Sequence, residues 1–229
     1  MGAGVTNSVA PIGRSGFTTS VTSDFADLAD RVSRVWRISG ELPVALPQPA
    51  VDLLVLPDGR LWLAGPETTA RTGYVPGSLT GVRLRPGACA EVLGIAADEV
   101  PVEGMPLPGF DDPFQALRQP ARSPDLAIRQ VLQAIHADPG APVAQHASGM
   151  SERQTRRRFQ VAVGLTPKTY ARIVRLHRTM ALARATTTPD WAEIAVRSGF
   201  YDQPHMLAEF RRAVGSSCVR FFQAAMAGV

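Results

Sequence analysis

The sequence predicts two domains of different class: a small β-rich α+β unit with short helices over residues 23–118, led by an arm (1–22), and an all-α unit over residues 119–229. Three observations predict this. Two apolar runs flank Pro57-Asp58-Gly59 in the first part, which is a β-hairpin signal. From Ser123 onward the apolar residues recur at helical spacing to the C-terminus. Within that second part, residues 51 apart match in type, as expected of a duplicated helix pair.

Charge divides along the same line. The 229 residues are 45% hydrophobic and 19% charged, an ordinary globular composition. Residues 1–120 hold 9 Lys+Arg against 13 Asp+Glu, and residues 121–229 hold 15 against 7. A basic half beside an acidic one points to a polyanion as partner of the basic half only. The start "MGAGVTNSVAPIGRSGFTTS" has no apolar stretch of signal-peptide length, and no segment is long enough to span a membrane. The expected location is therefore cytoplasmic, with no membrane partner. Cys89 and Cys218 lie in different halves and make no disulfide framework. Burial as small apolar groups is expected for both.

In the first part, "SDFADLADRVSRVWRI" places Phe25, Leu28, Val32 and Val35 at helical spacing after a Ser23 cap, with its last residues able to start a strand. "VDLLVLPDGRLWLAG" predicts a hairpin whose Asp-Gly pair suits the positive φ angles of a tight turn. "TGVRLRPGACAEVLGI" predicts a strand with alternating Val82 and Leu84, a Pro-Gly break and a short helix. "EVPVEGMPLPGFDDP" is proline-rich and expected at the surface. "DPFQALRQPARSPD" reads as a short helix and linker, which puts the domain boundary at residues 115–123.

The second part opens with "SPDLAIRQVLQAIHADPG". Leu126, Val131, Ile135, Ile128 and Leu132 share one face, Ser123 caps the helix with Pro124 at its first position, and Pro139-Gly140 stops it. The duplication then brings Ala144 onto Ala195, Ser151 onto Asp202, Phe159 onto Phe210, "AVG" 162–164 onto "AVG" 213–215, and Tyr170 onto Phe221. A small residue on a short helix, a turn, a capped second helix with a core Phe and a Gly stop outline a helix-turn-helix, here occurring twice. The helix "PKTYARIVRLHRTMALARA" joins the copies, with Ile173, His177, Met180 and Ala181 on one stripe.

On a wheel of about 100° per residue, Thr155, Phe159 and Ala162 face inward. Arg153, Arg157 and Gln160 then face outward with Arg156 beside them, and Arg158 lies on a flank. Arginine's forked donors match guanine O6 and N7, so this face suits base recognition in a major groove. The second copy turns Met206, Phe210 and Ala213 inward and Pro204, Ala208 and Arg211 outward, leaving Gln203, His205 and Arg212 within reach of a groove edge or phosphate. It has fewer base-reading groups, so the first helix is expected to read sequence and the second mainly to position the protein.

"VAQHASGMSERQTRRRFQVAVGLTPKTYARIVRLHRTMALA" followed by "DWAEIAVRSGFYDQPHMLAEFRRAVGSSCVRFF" resembles the DNA-binding domain of AraC/XylS-type transcriptional regulators over about residues 124–226. The resemblance implies two helix-turn-helix modules on one face of double-stranded DNA. Arg153, Arg156 and Arg157 would be base-contacting candidates of the first module, and Gln203 and His205 those of the second. It further implies RNA polymerase and a small-molecule effector as candidate partners, no cofactor, and a monomer or homodimer. Thr155 stands at a usually aliphatic position, Ala208 at a frequently basic one, and Cys218 in place of a proline. The stretch "PDGRLWLAGPETTARTGYVPGSLTGVRLRPGACAEVLGI" looks like a small domain that precedes this module in some members, with an effector-sensing or partner-binding role by analogy. Trp36, Trp62 and Tyr74 are its candidate pocket residues, against core roles for the same aromatics.

Three other readings bear on the same residues. Cys89 resembles the methyl-accepting cysteine of some DNA-damage regulators of this architecture, yet only Arg83 and Arg85 lie near it in sequence. No enzyme is therefore expected. His136 and His146 flank a Pro-Gly turn without a third metal ligand. A protein-interaction adaptor would use an apolar face at Leu207 and Ala208.

Overall fold

Val32, Val35, Trp36 and Ile38 are β-branched or aromatic, residue types that suit a strand. They form one in the computed structural model, which describes residues 18–19, 27–42, 44–107, 117–142 and 149–227. The strands are β1 (Thr18–Thr19), β2 (Val32–Leu42), β3 (Asp52–Val55), β4 (Leu61–Ala64), β5 (Gly73–Leu84) and β6 (Met105–Pro106). They make one antiparallel sheet in the order β1-β2-β5-β3-β4-β6. Helix α1 (Cys89–Leu93) and a 3-10 turn at Ala97–Glu99 follow β5.

Register explains the sheet's two faces. Val35, Val82, Leu53, Leu63 and Met105 lie in one cross-strand row and belong to a core shared with Val92, Leu93 and Val100. The adjacent row, on the opposite face, is Trp36, Gly81, Leu54, Trp62 and Pro106. Gly81 is required there because the Trp36 ring occupies the space a Cβ would need.

The helix predicted through Val32 and Val35 is corrected. The strand begins at Val32, and only Asp27–Leu28 forms a 3-10 turn ahead of it. Pairing of β2 with β5 over most of its length overrides a spacing that also fitted a helix. Ser23, Phe25 and all of the predicted arm except Thr18–Thr19 lie outside the described residues. The hairpin at 52–64 is present, but its turn differs. Only Gly59 has positive φ, at 83°. Gly59 N donates to Leu56 O and Leu56 N to Arg60 O, a three-residue loop with Pro57 preset at its first position. The proline-rich stretch is not wholly a surface crossing, since Met105–Pro106 completes the sheet and Val100 and Leu107 are buried.

The second half contains α2 (Leu126–Ala137), α3 (Glu152–Val163), α4 (Pro167–Arg184), α5 (Trp191–Arg197), α6 (Gln203–Val214) and α7 (Cys218–Ala227). Asp125, not Ser123, caps α2, because its carboxylate accepts from Ile128 N. Leu126 consequently faces out, 66% exposed, while Ile128, Val131, Leu132 and Ile135 are buried. Pro167 opens α4 behind a Thr166 cap, as expected. Its buried stripe differs from the expected one: Ala181 is exposed, and Leu176, Met180 and Ala183 carry the second core. Ile173 belongs to the first core, with Phe159 and Tyr170. One rod thus serves two small cores.

The two halves are docked. Leu46 sits in the second helical core beside Leu176 and Met180. His177, expected on the apolar stripe, instead bonds the Pro47 carbonyl through Nε2 at 2.8 Å. Burial is the largest cause holding its imidazole down to about 4. An unfolded histidine takes up a proton near pH 6.5 while this one stays neutral, so stability falls as pH drops from about 6.5 to 4. The expected loss is on the order of 2 kcal/mol, and urea titrations of native protein and His177→Gln should differ in slope within that window alone. Equal slopes would refute it.

Candidate nucleic-acid interface

Each module is built by the same local rules. In the first, the Ser151 hydroxyl accepts from Gln154 N at 3.3 Å while Gln154 Oε1 accepts from Ser151 N at 3.0 Å, a complete capping box. In the second, Asp202 accepts from His205 N at 2.8 Å. Helices α3 and α6 are both 12 residues long and end on left-handed glycines, Gly164 at φ 78° and Gly215 at φ 77°. Phe159 and Phe210 are each 0% exposed. Their rings meet Tyr170 and Phe221 edge-on, each at 5.5 Å. The duplicated positions therefore occupy equivalent places in two cores. Ala195 is buried on α5, whereas Ala144 lies outside the described residues.

Thr155 fits its core position without loosening the helix. It is fully buried, and its hydroxyl donates to Ser151 O at 3.1 Å. Cys218 begins α7 from within the second core, where burial raises its thiol to about 11.

On α3, Arg153, Arg156, Arg157 and Gln160 are all exposed on the face away from Phe159. Arg158 is half-exposed but engaged: its Nη2 lies 2.8 Å from both Asp125 oxygens, so it ties α3 to the cap of α2. The capped N-terminus adds a positive helix dipole at this face.

On α6, Arg211 and Arg212 are exposed and Gln203 and His205 half-buried. His205 Nδ1 accepts from Tyr201 N at 3.4 Å, and its ring stands edge-on to Phe200 at 5.4 Å. Arg212 bonds Glu209, whose other oxygen faces Arg172 on α4 at 3.7 Å. Tyr201, 88% exposed, stands immediately before the Asp202 cap. Leu207, placed by the adaptor reading on an apolar surface, packs partly buried against the second core.

The remaining candidates are dispersed. Trp36 and Trp62 share a sheet face three strands apart, about 14 Å between backbones. Trp62 packs over Gly104 and donates to Glu103 O at 3.4 Å. Tyr74 stands at the start of β5, 70% exposed, opposite Glu41. Cys89 is 2% exposed, and burial pushes its thiol up to about 12, which keeps it in the thiol form at neutral pH. His136 Nε2 lies 2.8 Å from the Tyr170 hydroxyl, while His146 is outside the described residues. No group of three or more His, Cys, Asp or Glu side chains able to hold a metal ion occurs among the described residues. No helix among them is long and apolar enough to cross a membrane.

Two capped helices in matched modules, joined by one long helix and carrying outward arginines, define a DNA-binding double helix-turn-helix unit. Residues 144–224 match the family model described as a helix-turn-helix domain, and this region is an AraC-type helix-turn-helix domain. No curated protein matches the chain significantly in sequence. Among solved structures, ToxT from Vibrio cholerae at 1.65 Å resolution is similar with a TM-score of 0.46 and 8% identity, covering 93% of this chain and 99% of that one. ToxT from Vibrio cholerae O395 bound to (E)-4-(8-methylnaphthalen-1-yl)but-3-enoic acid gives 0.45 and 9%, covering 93% and 100%. Identity this low transfers no residue role.

Proposed function

We propose that α3 reads base sequence through Arg153, Arg156, Arg157 and Gln160, and that α6 positions the protein on the neighbouring stretch of duplex. Gln203, His205, Arg211 and Arg212 serve that second contact. Arg158 holds α3 against α2 and reaches phosphate from the flank. The domain spanning residues 23–118 adjusts DNA binding in response to an effector or a protein partner, and the DNA-binding domain begins near residue 119. The observation that carries the reading is the exposure of three guanidinium groups, at 153, 156 and 157, on one side of a helix whose other side is a sealed core.

The contrast between the modules is testable. Arg157→Ala should cost about 1–3 kcal/mol at the preferred site and flatten discrimination among sites. Arg211→Ala should weaken all sites alike and reduce the slope of log K against log salt by about 0.9. Electrophoretic mobility shifts with duplexes selected from a random library, run at several salt concentrations, measure both effects. Interchanged outcomes would overturn the division of labour.

A further inference from the structure

The loop between β4 and β5 reaches the C-terminal ends of both presented helices. Pro66 and the Ala97 carbonyl close over Gly164, so that a Cβ on that glycine would lie 2.9 Å from Pro66 Cγ and 2.8 Å from Ala97 O. Four residues further on, Ala70 N donates to Ala213 O at 2.7 Å. Ala213 is in the last turn of α6, where carbonyls have no partner within the helix, so the loop supplies a donor that α6 cannot. Residues 66 to 70 span at most about 14 Å, which limits how far apart these two helix ends can move.

The loop itself is tied down. Gly65 N donates to Pro101 O at 2.9 Å, Glu67 N to Gln48 O at 2.8 Å, and Arg71 Nη2 to Val102 O at 2.9 Å. Arg71 and Glu67 form an ion pair at 2.8 Å. The modules are joined in sequence through α4, and Gly140 after α2 lies against Gly199 between α5 and α6. The loop adds a connection at the C-terminal ends of the two presented helices.

We propose that this loop is a specificity-determining brace: Pro66 and Ala70 fix the separation and rotation of α3 and α6, and so the spacing between the two DNA segments the protein accepts. The proposal rests on the reading of both helices as DNA-facing. It assigns part of sequence selectivity to residues that touch no DNA, through the roughly 34 Å repeat that successive major-groove contacts must match.

Gly215 provides an internal control. Its φ of 77° matches the 78° of Gly164, but nothing lies within 4 Å of its Cβ position. Gly164→Ala and Gly215→Ala therefore carry the same backbone strain, and only the first pushes against Pro66 of the brace and the Ala97 carbonyl beside it. Ala70→Pro removes the other contact by deleting its N–H.

The experiment uses full-length protein and the duplex it selects from a random library, with the interval between the two contacted segments changed by one base pair either way. The native protein and Gly215→Ala should lose about tenfold or more in affinity for each change. Gly164→Ala and Ala70→Pro should lose no more than about threefold, with unchanged preference for base identity within each segment. Circular dichroism identifies a variant that fails to fold, and the other variant then decides together with the native spacing profile. A flat native profile, or a steep one retained in the folded brace variants, overturns the brace. Failure of the native protein to select any duplex overturns instead the DNA-facing reading on which it rests.

Discussion

Phe159→Ala is expected to destabilise the protein by about 3–5 kcal/mol and to abolish specific DNA binding, because one ring anchors the whole first module. Phe159 is 0% exposed and meets Tyr170 edge-on at 5.5 Å. Tyr170 in turn lies 2.8 Å from His136 on α2 through its hydroxyl. Removing the phenyl ring leaves a void where α2, α3 and α4 meet, amid a dozen buried residues among those described. Three helices held by their own backbone hydrogen bonds collapse only partly around such a gap. Phe210→Ala should cost a similar amount in the second core, where it opens a gap against Phe221. Urea denaturation measures the loss. A cost below about 1 kcal/mol for Phe159→Ala would show that the first module is held by something other than this contact.

The second large effect lies between the halves. Glu91 is 5% exposed and is shared by two guanidinium groups, Arg129 at 2.6 Å from α2 and Arg31 at 3.2 Å from the turn before β2. Its backbone carbonyl also accepts from Arg122 N at 2.9 Å. Glu91→Ala should cost about 3 kcal/mol, since it leaves two cations facing each other with the carboxylate gone. Part of the penalty is relieved because the Arg129 side chain, 36% exposed, can turn toward water. Replacing all three residues by apolar ones of similar volume should restore most of the loss, because the desolvation cost of the charges disappears with them. A double-mutant cycle on Glu91 and Arg129 gives the coupling. A value near zero would show that the Glu91–Arg129 pair does not hold the halves together.

The helical half is largely legible in the sequence because its determinants are local. Ser151, Phe159 and Gly164 each act within a turn or two of their own helix, and each recurs 51 residues later as Asp202, Phe210 and Gly215. The outward arginines follow from the same wheel. What the sequence conceals depends on partners distant along the chain. Ser123 looks as good a cap as Asp125, yet the Asp125 carboxylate both accepts from Ile128 N and receives Arg158, 33 positions away. Val32 and Val35 satisfy helical spacing, and only the pairing of β2 with β5 decides for a strand. Glu91 carries no local sequence signal that sets it apart from the other acids. Nothing near residues 66–70 indicates that Gly164 and Ala213 lie against them.

Leu46 has a practical consequence for anyone dividing the chain. Although it precedes β3, its side chain belongs to the cluster formed by Met180, Phe200 and Phe210. Any fragment trimmed to the DNA-binding half loses a plug from its own interior and uncovers grease that the intact molecule hides. Fragments of this kind should be made with that socket refilled by a larger neighbouring side chain, or expressed alongside the missing piece.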